Sequence, residues 1–218
     1  MRRLLMLVAL AGLLGGCNMV TATRPLFTAA DAVGAPQLRP GLWTRPDPGC
    51  VYDPATPAHT WPGCAGSVIV RPSYFRGLHF GAAAPHADDD KAMPPDAVPY
   101  VLAGVYPSVM QVRLGEPGKP KQYIFQGLRP VKLDEAGRVI EARIWLVQCG
   151  PPQPPPADGS DHLYRPTTAP LPGLVMKGSD CVARDPETVI RAARASEVWR
   201  QNDGGLPPTI RWVRDRPK

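Results

Sequence analysis

Twenty-nine of the 218 residues are proline, more than twice the ordinary share of about 5%. Proline fixes φ, lacks an N–H donor and interrupts both helix interiors and central strands. A chain so punctuated must be built from short elements joined by ordered loops. The apolar and charged fractions, 44% and 20%, are those of a globular domain rather than a disordered or fibrous one.

The longest stretch without proline lies at the N-terminus, MRRLLMLVALAGLLGGC. Arg2 and Arg3 form a charged start, and Leu4 to Leu14 an apolar run. That run is too short to span hydrocarbon as a helix, which takes about 20 residues. It has the layout of an export signal. Its end, Leu14-Gly15-Gly16-Cys17, resembles the lipobox of bacterial lipoproteins. The resemblance implies cleavage after residue 16 and a diacylglycerol on the Cys17 thiol. It also implies a further acyl chain, palmitate or similar, on the amine that cleavage frees. Two or three chains hold far better than one, at about 0.8 kcal/mol per buried CH₂. Position +2 is Asn18 rather than Asp, which in such lipoproteins implies sorting to the outer membrane.

Three segments are therefore expected: residues 1–16 as signal peptide, 17–40 as lipidated N-terminus and tether, and 41–218 as one periplasmic domain. The tether reading rests on the small residues and prolines of 18–40. Within it, Thr28-Ala29-Ala30-Asp31 resembles a capping box and predicts a short helical turn.

Four cysteines remain: Cys50, Cys64, Cys149 and Cys181. In an exported chain an even number of thiols reads as a disulfide framework. Three pairings are open, and the local ones, Cys50–Cys64 and Cys149–Cys181, are expected. The stretch between Cys50 and Cys64, VYDPATPAHTWPG, has little apolar periodicity and needs an external constraint. A four-thiolate zinc site is the competing reading, but such sites usually carry Cys-x-x-Cys pairs, and the chain has none.

The body reads as strands, giving a mainly β fold, an antiparallel sheet as barrel or sandwich, with one amphipathic helix near the C-terminus. Strands are expected at 41–44, 67–70, 100–102, 109–112 and 210–213. The clearest pair spans 121–149, KQYIFQGLRPVKL and RVIEARIWLVQC, joined by a turn at Asp134-Glu135-Ala136-Gly137. In the second arm Ile140, Ala142, Ile144 and Leu146 share the expected core face. Glu141, Arg143, Trp145 and Val147 share the other, expected to meet solvent, a loop or a groove. Pro130 should mark an edge or bulge. Asp185-Pro186-Glu187 opens the helix with a cap, a proline at the first position and an acid in the first turn. Val189, Ile190, Ala192, Ala193, Ser196 and Trp199 fall on one side of it, and Arg191, Arg194 and Glu197 mainly opposite.

The formal charge is +6, and Arg2 and Arg3 belong to the leader. No Lys/Arg run is interleaved with aromatics, so no nucleic-acid partner is expected. The basic excess reads as a solvated surface or as attraction to anionic lipid or glycan. No G-x-S-x-G, S-x-x-K, H-E-x-x-H, phosphate loop or dinucleotide fingerprint occurs, so no catalytic residue and no cofactor is assigned. Ser179 reads as a loop serine beside a disulfide. The metal candidates are His79, His86 and Asp88, with Asp89 and Asp90 adjoining. Their spacing matches no ligand template, so the region reads as an acidic loop. His59 and His162 lie in other proline-rich loops and read as surface residues. The five tryptophans are dispersed, and packing is their expected role.

The lipobox, the Pro-Gly-Leu-Trp stretch around Trp43, Val147-Gln148-Cys149-Gly150 and Arg211-Trp212-Val213-Arg214 together resemble lipoproteins of unknown function from high-GC Gram-negative bacteria. The resemblance implies packing and disulfide motifs and no activity. The expected function is that of a lipid-anchored, non-enzymatic structural or binding module. Its partners would be the membrane, through Cys17, and an envelope protein or glycan. The alternative is an envelope hydrolase or metal-dependent enzyme using the His79–Asp90 region.

Overall fold

The computed structural model describes residues 18–72, 74–76, 98–114, 121–151, 167, 169–202 and 207–215. Short β-branched and aromatic runs between prolines become strands: β1 (Val20–Ala22), β2 (Gly41–Thr44), β3 (Ser67–Arg71), β4 (Tyr74–Arg76), β5 (Val98–Ala103), β6 (Ser108–Leu114), β7 (Gln122–Leu133) and β8 (Val139–Leu146). After them come β9 (Val175–Lys177), β10 (Asp180–Val182), helix α1 (Pro186–Asn202) and β11 (Thr209–Arg214).

β2 to β8 run as an antiparallel meander. β11 then returns between β8 and β2, antiparallel to both. Because β6 also pairs with β7, the eight strands close into a ring. The question the sequence leaves open, barrel or sandwich, is settled as a barrel. β1 extends the sheet from the edge of β7, and its parallel pairing with β10 makes the sheet mixed.

An eight-stranded barrel has an interior just wide enough for side chains to fill. Here Trp43, Val68, Val70, Tyr100, Leu102, Met110, Val112, Leu128, Ala142, Ile144 and Ile210 form one cluster drawn from seven of its strands. Trp43 is fully buried, and its indole N–H donates to the Arg39 carbonyl at 2.8 Å.

Two further cores lie outside the wall, each closed by a disulfide. Leu42 and Ile69, of opposite parity to Trp43 and Val68, meet Ala58, Trp61 and Ala65 of the loop between Cys50 and Cys64. On the other flank Val109, Phe125 and Val147 meet Val20, Phe27, Val189, Ala192 and Ala193, with Cys149–Cys181 among them. Both disulfides have the expected pairing.

The second face of β8 differs from expectation. Trp145 and Val147 are buried under α1, and the Trp145 indole N–H donates to the Ala193 carbonyl at 2.8 Å. A Cβ on Gly127, directly opposite Trp145, would run into that indole. Glu197 also departs from its expected exposed position. It is buried, and its carboxylate accepts a hydrogen bond from Arg129 Nη2 at 2.8 Å, with the Nε–Oε1 ion-pair distance 2.7 Å. The fork joins α1 to β7. The expected bulge at Pro130 is present, as a register shift between Pro130 and Lys132.

Residues 18–40, expected as a tether, instead pack into the fold among the described residues. Val20, Ala22, Leu26 and Phe27 are core residues. The buried Gln111 side chain accepts the N–H groups of Leu26 and Phe27 at 2.7 and 3.0 Å and donates to the Phe27 carbonyl at 2.9 Å. The turn expected at Thr28 forms at Ala30–Ala32, with the Thr28 N–H donating to Asp31 Oδ2 at 2.8 Å. Among the described residues no helix is long and apolar enough to cross a membrane.

Candidate functional site

Two places have built geometry, the start of the described chain and a cleft on the outer wall of the barrel. Cys17 itself lies outside the described residues, but its neighbour Asn18 is fully buried. Asn18 adopts φ 48°, the left-handed region that asparagine tolerates better than most side chains. Its side-chain N–H donates to the Gly150 carbonyl at 3.2 Å, and its Oδ1 accepts the Thr167 N–H at 3.3 Å. Its own carbonyl accepts the Cys149 N–H at 2.9 Å.

The next residue is held on two sides. The Met19 N–H donates to Asp180 Oδ1 at 3.1 Å, and its carbonyl accepts the Cys181 N–H at 3.0 Å. The disulfide crosses that carbonyl oxygen, 3.2 Å from Cys149 Sγ and 3.7 Å from Cys181 Sγ. Cystine sulfurs carry no proton, so these are packing contacts. β1 continues with the Val20 N–H on the Val147 carbonyl at 2.9 Å. The register of Val20 with Cys181 places the β9–β10 turn, Lys177 to Asp180, level with Asn18 and Met19. Ser179 sits in that turn, half-buried.

The cleft has a volume of about 710 Å³ and lies between the residues leading into the Cys50–Cys64 loop and the start of β11. Arg45, Asp47 and Tyr52 line one side, Thr209 and Arg211 the other, with prolines on both. The loop wall is braced. The Asp47 N–H donates to the Cys64 carbonyl at 2.8 Å, and the Cys50 N–H to the Asp47 carbonyl at 3.0 Å. Tyr52 packs on Trp61 at 5.0 Å between ring centroids. Arg214 reaches from β11 to the Pro54 carbonyl and, at 3.0 Å, to the Thr56 carbonyl.

The electrostatics of the cleft are lopsided. Arg45 is three-quarters buried, with Asp47 4.0 Å away. Burial pushes its guanidinium below the ordinary value, and Asp47 only partly opposes this. Arg211 faces Glu141 at 3.4 Å.

His79, His86 and Asp88 lie outside the described residues, as does His162. His59 sits exposed in a 3₁₀ turn. Among the described residues no three His, Cys, Asp or Glu side chains gather as metal ligands. No family model, curated protein or solved structure matches the chain.

Sequence reasoning did not find the cleft. Arg45 and Arg211 are isolated in sequence, and only the insertion of β11 beside β2 brings them together. The mooring at Asn18 was also missed. A three-residue strand of Val, Thr and Ala is too short for periodicity to register.

Proposed function

We propose that this chain is a lipid-anchored cell-envelope protein, attached through acyl chains on Cys17. On this reading the domain serves as a non-enzymatic structural or binding module at the periplasmic face of the outer membrane. The observation that carries the reading is the state of Asn18. The residue after the proposed acceptor cysteine is fully buried and hydrogen-bonded through both polar side-chain atoms, and a disulfide lies over the carbonyl of the residue that follows it.

Such a terminus transmits an anchor's position to the fold with almost no slack. A tether would let the domain roam, whereas this attachment holds it against the headgroups in a restricted orientation. A side-chain-filled barrel with a polar cleft on its outer wall fits a binding module better than a substrate channel. The partner on this reading is an envelope component, protein or glycan.

Fractionation of cells expressing wild-type and Cys17→Ala protein tests the anchor. The wild type should sediment with outer membranes and take up labelled palmitate, and the variant should do neither. A Cys17→Ala protein still in the membrane fraction would contradict the reading.

A further inference from the structure

On the lipobox reading the bond to be cut is Gly16–Cys17, one residue ahead of a stretch that the fold holds firmly. Adjacent Cα atoms stand about 3.8 Å apart across a trans peptide, so Cys17 lies within that distance of Asn18. Asn18 is fully buried, and its φ of 48° is not that of an extended chain. Its side chain bonds to Gly150 and Thr167, and its carbonyl accepts the Cys149 N–H. Met19 is held by Asp180 and by the Cys181 N–H, and the Val20 N–H by the Val147 carbonyl. An endopeptidase acts on exposed chain, or on the fraction of molecules that have opened locally. Opening here breaks these bonds and uncovers Val20, which is fully buried.

The order of the chain provides an interval in which the site is still accessible. The side-chain partners of this stretch, Gly150, Thr167 and Asp180, lie 132, 149 and 161 residues further along. At about 5–20 residues per second, synthesis reaches the last of them after on the order of ten seconds. Until then β1 has no β10 to pair with. The disulfide over the Met19 carbonyl joins Cys149 to Cys181, so it too must wait for the end of that segment.

We propose that Gly16–Cys17 is cut before β1 docks, and that docking then withdraws the site from the peptidase. The cut is a hydrolysis in which the amide C–N bond breaks. Gly16 gains the water oxygen as a carboxylate, and the Cys17 nitrogen gains the two protons as an ammonium. The inference rests on the lipobox reading of that bond.

Cleavage of full-length precursor, made in a membrane-free synthesis, by detergent-extracted bacterial inner membranes tests it. One sample is the folded, oxidised wild type, and a second is reduced wild type unfolded in urea and diluted at the moment of mixing. The third is a folded variant with a flexible Gly/Ser spacer of about ten residues between Cys17 and Asn18. The spacer frees the bond and leaves Asn18 and β1 in place. Mass spectrometry follows the product that begins at Cys17. The folded wild type should be cut more slowly than the unfolded chain by about tenfold or more. The folded spacer variant should be cut as fast as the unfolded chain. Equal rates for folded and unfolded wild type would overturn the proposal, as would a folded spacer variant cut no faster than the folded wild type. Should the spacer variant fail to form both disulfides, the two wild-type samples still decide the matter. An unfolded chain that is not cut would overturn the lipobox reading itself, and the proposal with it.

Discussion

Asn18 carries two demands at once. On the reading of Cys17 as the acceptor, it is the +2 residue on which sorting depends. In the fold it must donate a side-chain N–H to Gly150 and accept one from Thr167. An aspartate meets the second bond but turns the first into a carboxylate facing a carbonyl oxygen in a buried site. Asn18→Asp is therefore expected to cost about 1–3 kcal/mol, measured by denaturant unfolding, while Asn18→Ser should cost less. A stability equal to wild type for the aspartate variant would show that Asn18 is not held as described. Asp185 is a second residue with a definite role. The Thr188 N–H at 2.8 Å holds its carboxyl below the ordinary range, burial opposes, and the Thr188 hydroxyl and Arg191 add to the lowering. The folded-state value lies below the unfolded one, so the cap contributes in full above about pH 4. Its contribution is lost as pH falls through the lower, folded value. Asp185→Asn removes the titration, so its stability should fall less steeply than the wild type's below that pH. The cap was legible in sequence because Asp-Pro-Glu is a local signal. The burial of Glu197 was not, because its partner Arg129 lies on a strand remote in the chain.

At the level of elements, each disulfide closes an outer core and each has a separate task. Cys50–Cys64 braces the wall of the cleft, and Cys149–Cys181 roofs the first residues of the domain. Chain-entropy arithmetic assigns about 3 kcal/mol to a loop of the first size and slightly more to the second. Removing the second also disturbs two fully buried side chains. The Cys149→Ala/Cys181→Ala protein should thus be the less stable double variant and should lose hydrogen-exchange protection at Met19 and Val20. Cys50→Ala/Cys64→Ala should keep that protection. Equal loss at Met19 and Val20 in both would separate the disulfide from the mooring. The strand pair over 121–149, the helix and both pairings could be read from sequence because each is local or strongly patterned. The insertion of β11 between β8 and β2, and the closure of β6 on β7, are long-range pairings that no window of the sequence contains. The second face of β8 was read as solvent-facing because Glu141 and Arg143 alternate with Trp145 and Val147. The helix covers only the latter half of that face.

At the scale of the whole molecule, the described residues form a filled β-barrel flanked by two cores, each closed by a disulfide. The largest difference from the sequence reading lies here. Residues 18–40 have the small-residue and proline content of a tether, yet Val20, Leu26 and Phe27 complete a core. The buried amide of Gln111 satisfies the backbone that composition alone would leave in solvent. On the proposed reading of Cys17 as lipid acceptor, the burial of Asn18 makes the identity of the acylated residue the claim on which orientation and location depend. Intact-mass spectrometry of the mature protein extracted from membranes tests it most directly. The expected result is a chain beginning at Cys17 that carries a diacylglyceryl group and an additional acyl chain. A mature chain beginning elsewhere, or an unmodified Cys17, would contradict it.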